Sequence, residues 1–198
     1  MNFLNDFNEI FVIIAISYAF GSIPFGYLIT KFFLKKDIRK IGSGNIGATN
    51  VLRSGNKLIG YLTLFLDILK AVIPVVYIKL NYPDLIYISS LSVFLGHVFP
   101  IWLKFKGGKG VATYVGILFS INLIFGFIFC ISWLLVFILS KYSSLSSLVA
   151  SLSVPLFLFF ANGEQIIFFI ILFVLIFYTH RENIKRLKNK EESKSNIY

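Results

Sequence analysis

Long apolar stretches make up most of the chain and are separated by short segments rich in Gly, Ser, Asn and Lys. The stretches at about 10–34, 58–80 and 85–103 each approach or exceed the roughly 20 apolar residues with which an α-helix crosses a bilayer. The residues before the first stretch include Asp6 and Glu9 but no Lys or Arg, which is atypical of a signal peptide. The pattern predicts an all-α, polytopic transmembrane bundle whose first span is retained.

The C-terminal half of the chain permits two topologies. Residues 111–139 are long enough for one helix, but Asn122 and Gly126 interrupt them, and a short hairpin there gives two spans. With two further crossings after that segment, the chain has seven spans. The second choice is a five-span arrangement that treats 144–179 as one element, which requires about 54 Å of helix at 1.5 Å per residue.

Charge orients these spans. In the seven-span arrangement, all of the 19 Lys and Arg residues lie in cytoplasmic segments except Lys70, within a span, and Lys79, at an outer edge. Cytoplasmic loops of membrane proteins carry such an excess of Lys and Arg. We therefore expect the N-terminus outside and the C-terminus in the cytoplasm. This bias accounts for the net charge of +10 without nucleic-acid binding.

Composition supports a single membrane domain. Hydrophobic residues make up 57% of the chain, 23 of its residues are Phe, and the mean hydropathy is +0.82, values outside the range of soluble domains. No internal repeat or soluble segment is visible, so residues 1–198 are interpreted as one domain. Cys130 is the only cysteine, so neither an intrachain disulfide nor a cysteine metal site is expected.

The first of three polar clusters is the segment Gly42–Arg53. It combines three glycines with hydroxyl and amide side chains, and Arg53 is suited to bidentate phosphate binding. Composition alone equally permits a capped interfacial turn in which Asn45 or Thr49 starts a short helix. The density of polar donors favours an anion site.

The second cluster, Gly96–Thr113, contains the segment Gly107–Gly110 between two apolar spans. Glycines allow backbone N–H groups to approach an anion, lysine supplies charge, and the following helix adds the positive end of its dipole. A nucleotide P-loop is excluded because Lys109 is followed by glycine where Ser or Thr is required. Considered singly, His97 is more typical of a hydrogen-bonded packing residue than of a base.

The third cluster, Thr179–Leu187, lies at the inner end of the last predicted span. On a helix, His180 and Asn183 share one face, while Arg181 and Lys185 face lipid headgroups. A basic stop-transfer flank explains the cationic residues but not the histidine and the amide.

Two further features lie outside these clusters. Asp67 and Lys70 are three positions apart within the second span, where they can neutralise one another, and we interpret them as a structural pair. The serine-rich segment 143–147 either supplies hydroxyls to the same pocket as the clusters or caps the sixth span.

These motifs, in this order, resemble the bacterial acyl-phosphate:glycerol-3-phosphate acyltransferase family. The resemblance covers nearly the whole chain and is carried by residues 21–28, 43–53, 67 and 70, 96–113, the serines after Lys141, and 180–187. One departure is Lys190, which stands where the family has a glycine two residues before Glu192.

The resemblance implies a multi-pass enzyme of the bacterial inner membrane with its active site on the cytoplasmic side. Such enzymes transfer a fatty acyl group from acyl phosphate to the sn-1 hydroxyl of glycerol 3-phosphate. They form lysophosphatidic acid and inorganic phosphate in phospholipid biosynthesis, without direct use of acyl-CoA, and no cofactor or metal is implied. Membrane lipid and the soluble acyl-phosphate-forming enzyme are the further partners that we consider.

Residue roles follow from the same resemblance. The catalytic set is Ser43, Arg53, Lys109, His180 and Asn183. The substrate-binding set is Asn45, Thr49, Asn50, His97, Lys106, Gly107, Gly108, Gly110, Thr113 and Ser147. The structural set is Asp67, Lys70 and Glu192. We expect Lys109 and the loop amides to stabilise the phosphate leaving group and the developing oxyanion. Either His180 or a substrate phosphate takes the hydroxyl proton.

Two other functions were weighed against this one. A membrane carrier for a phosphorylated small molecule would use the basic clusters as a vestibule, but carriers place polar groups near the midplane and often have repeated halves. Here only Asp67 and Lys70 favour a carrier. A CDP-alcohol phosphatidyltransferase needs several spaced aspartates for metal, whereas the aspartates of this chain are isolated. The acyltransferase signature of His followed five residues later by Asp is absent, which favours a separate mechanism.

Overall fold

The fold is given by a computed structural model that describes the backbone of residues 3–194 and the side chains of residues 7–194, so the side chain of Asp6 lies outside it. All regular elements in this range are helical. The α-helices are α1 (Phe3–Ser22), α2 (Phe25–Phe33), α3 (Ala48–Arg53), α4 (Lys57–Asn81), α5 (Ile86–Val98), α6 (Val111–Ile121), α7 (Leu123–Ser140), α8 (Ser143–Phe160), α9 (Ile166–Thr179) and α10 (Arg181–Lys188). Short 3-10 turns occupy Ile38–Lys40, Pro83–Leu85 and Ile101–Leu103. The helices group into two units, Met1–Ile121 and Asn122–Tyr198.

Five described segments are long and apolar enough to cross a membrane. They are Phe7–Phe33, Lys57–Asn81, Pro83–Leu103, Leu123–Ser140 and Ser143–Phe160. The pair α9 and α10 also passes this test but is bent by 61°, and α6 has only 11 residues. A helix of that length spans about 16 Å, against roughly 30 Å for the hydrocarbon core. The multi-pass helical architecture is confirmed, while the seven-span count and the orientation of the termini stay predictions.

The C-terminal helices correct two details of the predicted spans. Asn122 separates α6 from α7, and its side-chain oxygen accepts a hydrogen bond from the Ile124 N–H at 2.9 Å. This is an N-cap, so the interruption has a local cause. Gly126, by contrast, is buried within α7 and does not interrupt it. The single element 144–179 of the five-span alternative is wrong, because residues 161–165 separate α8 from α9.

Small and hydroxyl-bearing residues line the contact between α1 and α5. The hydroxyls of Ser17 and Ser89 are hydrogen-bonded at 2.9 Å. A Cβ atom at Gly21 would collide with the carbonyl oxygen of Val93, and one at Gly96 would collide with the backbone of α1. Such residues allow helix backbones to approach closely within a membrane, where apolar side chains gain little by leaving lipid.

A long lysine fixes the end of α6 in the same unit. The Nζ atom of Lys79 on α4 donates hydrogen bonds to the carbonyl oxygens of Ser120 and Ile121, each at 2.9 Å. The last carbonyls of a helix have no partner within it, and a cation there also favours the negative end of the helix dipole. Near the middle of α6, the backbone of Gly116 packs against α4. A Cβ atom added at Gly116 would lie only 2.5 Å from the carbonyl oxygen of Ile68.

The second unit is packed largely through aromatic rings. Trp133 on α7 stacks on Phe137 with ring centroids 4.8 Å apart, and its Nε1–H donates to the hydroxyl of Ser147 on α8 at 3.2 Å. Phe125 on α7 meets Phe169 on α9 edge to face at 5.3 Å. These offset and edge geometries are the preferred ones for aromatic pairs.

Candidate active site

The glycine loop, residues 104–110, lies against the C-terminal end of α5. The N–H of Gly107 donates to the carbonyl oxygen of Val98 at 3.0 Å, and the N–H of Gly108 donates to that of His97 at 3.1 Å. A Cβ at Gly108 would collide with the imidazole Nε2 of His97. The expectation that the N–H groups of Gly107 and Gly108 face a phosphate is therefore corrected, since both are used within the fold.

The end of the glycine loop leads into α6. Gly110 has a φ of +87°, a conformation that favours glycine, and an added Cβ would collide with the ring of Phe94. Lys109 is half-buried and Lys106 is exposed. Thr113, in the first turn of α6, is fully buried, and its hydroxyl oxygen has no hydrogen-bond partner among the described residues. Lys109 is thus held between two positions that require glycine.

Asn50 organises the first cluster from within. Its Nδ2 donates to the carbonyl oxygens of Ile38, Ile41 and Asn45 at 3.2, 2.9 and 2.8 Å. Its Oδ1 accepts from the N–H of Ser43 at 2.9 Å. The side chain is buried, and these bonds stay within the loop. Asn50 therefore shapes the loop, which corrects its predicted role as a substrate contact.

The remaining polar residues of the first cluster lie around the short helix α3. The side-chain oxygen of Asn45 accepts from the Gly47 N–H at 3.0 Å and closes a local turn before the helix. The alternative that Asn45 or Thr49 caps the helix is wrong, because Gly47 is the N-cap of α3 and no side chain caps it. Ser43 and Arg53 are exposed, and Thr49 is half-buried. The cluster is thus a tightly bonded turn that presents a hydroxyl and a guanidinium at its surface.

An ion pair just before this cluster was missed by the sequence analysis. The Nε and NH2 atoms of Arg39 donate to the two carboxylate oxygens of Asp37 at 2.9 and 2.7 Å. The hydrogen bond from Arg39 lowers the pKa of Asp37 to about 2. The guanidinium also lies 4.6 Å from the ring centroid of Tyr27. The sequence feature that could have indicated this pair is the spacing of Asp37 and Arg39, an acid and a base two residues apart.

A buried group of charged and titratable side chains lies behind the glycine loop. Lys70 Nζ is 2.8 Å from Oδ1 of Asp67 and donates a hydrogen bond to the carbonyl oxygen of Ile23 at 2.7 Å. His97 Nδ1 is 3.8 Å from the same Oδ1. The side chains of Asp67, Lys70 and His97 are each at most 4% exposed. The predicted pair is present, and a histidine from α5 joins it.

The third cluster is built around Glu192 in the second unit. Its Oε1 accepts hydrogen bonds from Ser144 Oγ at 2.8 Å and from Asn183 Nδ2 at 2.7 Å, and its Oε2 accepts from Arg186 Nε at 2.7 Å. Burial opposes ionisation of this carboxyl, but the three hydrogen bonds outweigh it and hold the pKa of Glu192 below its usual value. Glu192 thereby anchors Asn183, although Lys190 occupies the expected glycine position.

His180 stands at the joint between α9 and α10. The residue is 2% exposed, and its ring Nδ1 lies 2.8 Å from the carbonyl oxygen of Ile176. A carbonyl only accepts, so Nδ1 carries the proton, and Nε2 is the basic nitrogen of the neutral ring. His180 and Asn183 are both buried while Arg181 and Lys185 are exposed, which matches the predicted faces.

The serine segment contributes differently from the prediction. The Ser147 hydroxyl donates to the carbonyl oxygen of Ser143 at 2.8 Å and accepts from Trp133. It is Ser144 that reaches Glu192. Ser144 and Arg186 thus hold Glu192 in place. The sequence pointed to the serine segment that contains Ser144, but it singled out neither residue.

Comparison with known proteins shows the family to which the chain belongs. The glycerol-3-phosphate acyltransferase family model matches residues 11–190. The chain belongs to that family. A relative from Pelagibacter ubique, also a glycerol-3-phosphate acyltransferase, is 70% identical over 96% of this chain and 100% of its own length. Another from Bradyrhizobium diazoefficiens is 49% identical over 92% of this chain and 93% of its own.

Two crystal structures of another acyltransferase match the fold. They show PlsY, an integral membrane glycerol 3-phosphate acyltransferase, in a glycerol 3-phosphate form and in a lysophosphatidic acid form. The TM-scores are 0.89 and 0.86, with 38% sequence identity over 94% of this chain and 95% of the other. All residues predicted for this acyltransferase site except Glu192 lie within the matched family region. Among the described residues, no group of three or more His, Cys, Asp or Glu side chains is placed to hold a metal ion.

Proposed function

We propose that this acyltransferase moves a fatty acyl group from acyl phosphate to the sn-1 hydroxyl of glycerol 3-phosphate. The hydroxyl oxygen attacks the acyl carbonyl carbon, the bond from that carbon to the phosphate oxygen breaks, and inorganic phosphate leaves. Lysophosphatidic acid is the second product. The main support is the likeness to an acyltransferase whose crystal structures are a glycerol 3-phosphate form and a lysophosphatidic acid form.

Both proposed substrates carry phosphate, and the polar residues of the first unit suit that charge. Arg53 offers a planar guanidinium for bidentate contact, and the Ser43 hydroxyl lies in the same loop. Lys109 is fixed between Gly108 and Gly110 and supplies positive charge for the leaving phosphate and the oxyanion. The lysine side chain carries this role, since the N–H groups of Gly107 and Gly108 are already bonded to α5.

The proton of the attacking hydroxyl goes to Nε2 of His180 or to a phosphate oxygen of the substrate. The bond between His180 Nδ1 and the Ile176 carbonyl supports the histidine, because it leaves Nε2 as the basic nitrogen of the neutral ring. Asn183, anchored by Glu192, offers a polar side chain three residues away. A covalent acyl-enzyme is unnecessary, because acyl phosphate is a mixed anhydride and already activated.

The proposal includes the membrane placement. Seven spans arise if α6 and the bent α9–α10 pair each cross the bilayer, with the N-terminus outside and the C-terminus in the cytoplasm. The excess of Lys and Arg in the inner segments supports this orientation. The three polar clusters then meet soluble glycerol 3-phosphate and the soluble acyl-phosphate-forming enzyme at the cytoplasmic face of a bacterial inner membrane. The acyl chain lies among the Phe-rich helices.

The decisive experiment supplies purified protein in lipid with labelled glycerol 3-phosphate and either palmitoyl phosphate or palmitoyl-CoA. Labelled lysophosphatidic acid is expected from palmitoyl phosphate alone. Product from palmitoyl-CoA alone would contradict the proposed donor. Label that accumulates in sealed vesicles without product would favour the carrier. Asp67 and Lys70 were the residues that favoured a carrier, but their pairing with each other supports a structural role for them.

Arg53→Lys tests the bidentate contact in the same assay. Lysine keeps the charge but not the planar fork, so we expect activity to fall by about tenfold or more. Arg181→Lys is the matched control, because Arg181 is an exposed arginine expected to face headgroups. Activity of the Arg53 variant within about twofold of the wild type would count against a bidentate phosphate contact.

A further inference from the structure

The buried group behind the glycine loop has no part in the proposed acyl transfer. Asp67, Lys70 and His97 lie within helical spans and are at least nine-tenths buried. Isolated charges are rare in such surroundings and are usually retained for a function.

His97 connects the buried group to the loop in two ways. Its carbonyl oxygen accepts the hydrogen bond from the Gly108 N–H at 3.1 Å. Its imidazole Nε2 occupies the space that a Cβ at Gly108 would require. The ring therefore packs directly against the backbone of residue 108, and Lys109 is the next residue in the chain.

Asp67 faces the opposite side of the same imidazole. Its Oδ1 is 3.8 Å from His97 Nδ1, and neither atom has a hydrogen-bond partner among the residues that the structure describes. The Lys70 ammonium is at ion-pair distance from Oδ1 but outside hydrogen-bonding geometry. A carboxylate oxygen accepts and an imidazole Nδ1–H donates, so a small approach would give His97 Nδ1 a hydrogen-bond acceptor.

Lys70 neutralises the carboxylate and also contacts a neighbouring span. Besides Asp67, its ammonium contacts the carbonyl oxygen of Ile23, in the break between α1 and α2, at 2.7 Å. Through Lys70 the carboxylate is thus linked to the backbone of the span Phe7–Phe33, while it faces His97 in the span Pro83–Leu103. The contacts run without interruption from Ile23 through Lys70, Asp67 and His97 to Gly108.

We propose that Asp67 and His97 are positioning residues that hold the glycine loop, and with it Lys109, in place for the substrate phosphates, that of glycerol 3-phosphate included. Lys70 neutralises the Asp67 charge. This inference rests on the proposed function for its substrate. It assigns His97 to the support of the loop and not to contact with the substrate. The Asp67 oxygen acts as the acceptor that sets the orientation of the His97 ring.

A matched pair of double variants separates positioning from charge neutralisation. Asp67→Asn with Lys70→Met removes both charges but keeps a carbonyl acceptor for His97. Asp67→Leu with Lys70→Met removes the charges and the acceptor at similar volume. We expect the Kd and KM for glycerol 3-phosphate to stay within about twofold in the first variant and to rise about tenfold in the second. The KM for acyl phosphate should follow the same order, because Lys109 also serves its leaving phosphate.

Equal Kd values for glycerol 3-phosphate in the two folded double variants would overturn the inference. Binding of labelled glycerol 3-phosphate needs no acyl donor, so the test stands even if acyl phosphate proves not to be the donor. A wild-type protein that binds glycerol 3-phosphate but does not acylate it would instead overturn the proposed function alone.

A second pair covers the case in which the leucine double variant does not fold. His97→Asn places an amide donor near the position of Nδ1, whereas His97→Leu keeps bulk without a donor. Glycerol 3-phosphate should bind about tenfold more weakly to the leucine variant and within about threefold of wild type to the asparagine variant. Equal weakening in both variants would indicate a direct ligand role for the imidazole and would contradict positioning.

Discussion

Two buried carboxylates, one in each unit, are stabilised in different ways. Asp67 lies within the span α4 and is neutralised by one cation, while its Oδ1 lacks a hydrogen bond among the described residues. Glu192 follows α10 and accepts hydrogen bonds from a hydroxyl, an amide and a guanidinium. Asp67 thus relies on one ion pair within an apolar helix bundle, whereas Glu192, near a helix end, combines an ion pair with two further hydrogen bonds.

The two arrangements differ in how they respond to the loss of one partner. Removal of Lys70 leaves the Asp67 charge buried without compensation, and such a loss is strongly destabilising. Removal of one donor from Glu192 leaves two others in place. The first site should therefore depend on a single contact, and the second should tolerate partial loss.

The largest expected effect is that of Lys70→Met. We expect it to destabilise the protein by about 3–5 kcal/mol, because it leaves an unpaired buried charge. Thermal unfolding of the purified protein in detergent measures this. Asp67→Asn combined with Lys70→Met is the matched control and should recover most of the loss. If the single and double variants unfold at the same temperature, the carboxylate does not depend on the lysine charge.

Glu192→Gln should have a smaller effect on stability. Glutamine keeps the shape but removes the negative charge that strengthens the hydrogen bonds, at a cost of about 1.5–3 kcal/mol. The exposed neighbour provides the control variant Glu191→Gln. Turnover should fall as well, because Asn183 loses its anchor. Unchanged turnover with reduced stability would mean that Asn183 does not need Glu192 for activity.

The contribution of Glu192 to stability should depend on pH. The folded protein lowers the pKa of Glu192, so its carboxylate stabilises the fold fully above the unfolded value of about 4.3. This contribution is lost as pH falls through the folded pKa. The stability difference between wild type and Glu192→Gln should therefore shrink as pH falls from 7 into the acid range. A difference that grows in acid would contradict a lowered pKa.

The smallest expected effect is that of Lys190→Gly. Lys190 has a φ of +61°, in the left-handed region where glycine carries no steric penalty. We expect stability to rise by up to about 1 kcal/mol, since greater freedom of glycine in the unfolded chain offsets part of the gain. Lys188→Gly, within α10, is the control and should lower stability by about the same amount. A loss of stability in the Lys190 variant would show that its side chain contributes more than its backbone costs.

Local patterns were predictable from the sequence, and contacts between distant segments were not. The apolar stretches gave most of the spans, and the three-residue spacing of Asp67 and Lys70 gave their pairing. The bond from Ser144 to Glu192 joins residues 48 positions apart, so no spacing along one helix indicates it. Likewise, composition marked Gly107 and Gly108 as donors for an anion, but only tertiary packing shows that α5 accepts their N–H groups.

The close approach of α1 and α5 affects how natural variation in this protein should be interpreted. At Gly21 and Gly96 even a methyl group meets backbone atoms of the facing helix. In a saturation mutagenesis screen, we expect these positions to tolerate substitution as poorly as the proposed site residues Arg53 and Lys109, for reasons of packing alone. A map of positions that tolerate no substitution would therefore include the contact between α1 and α5 as well as the proposed active site. Intolerance to substitution alone does not identify a catalytic residue.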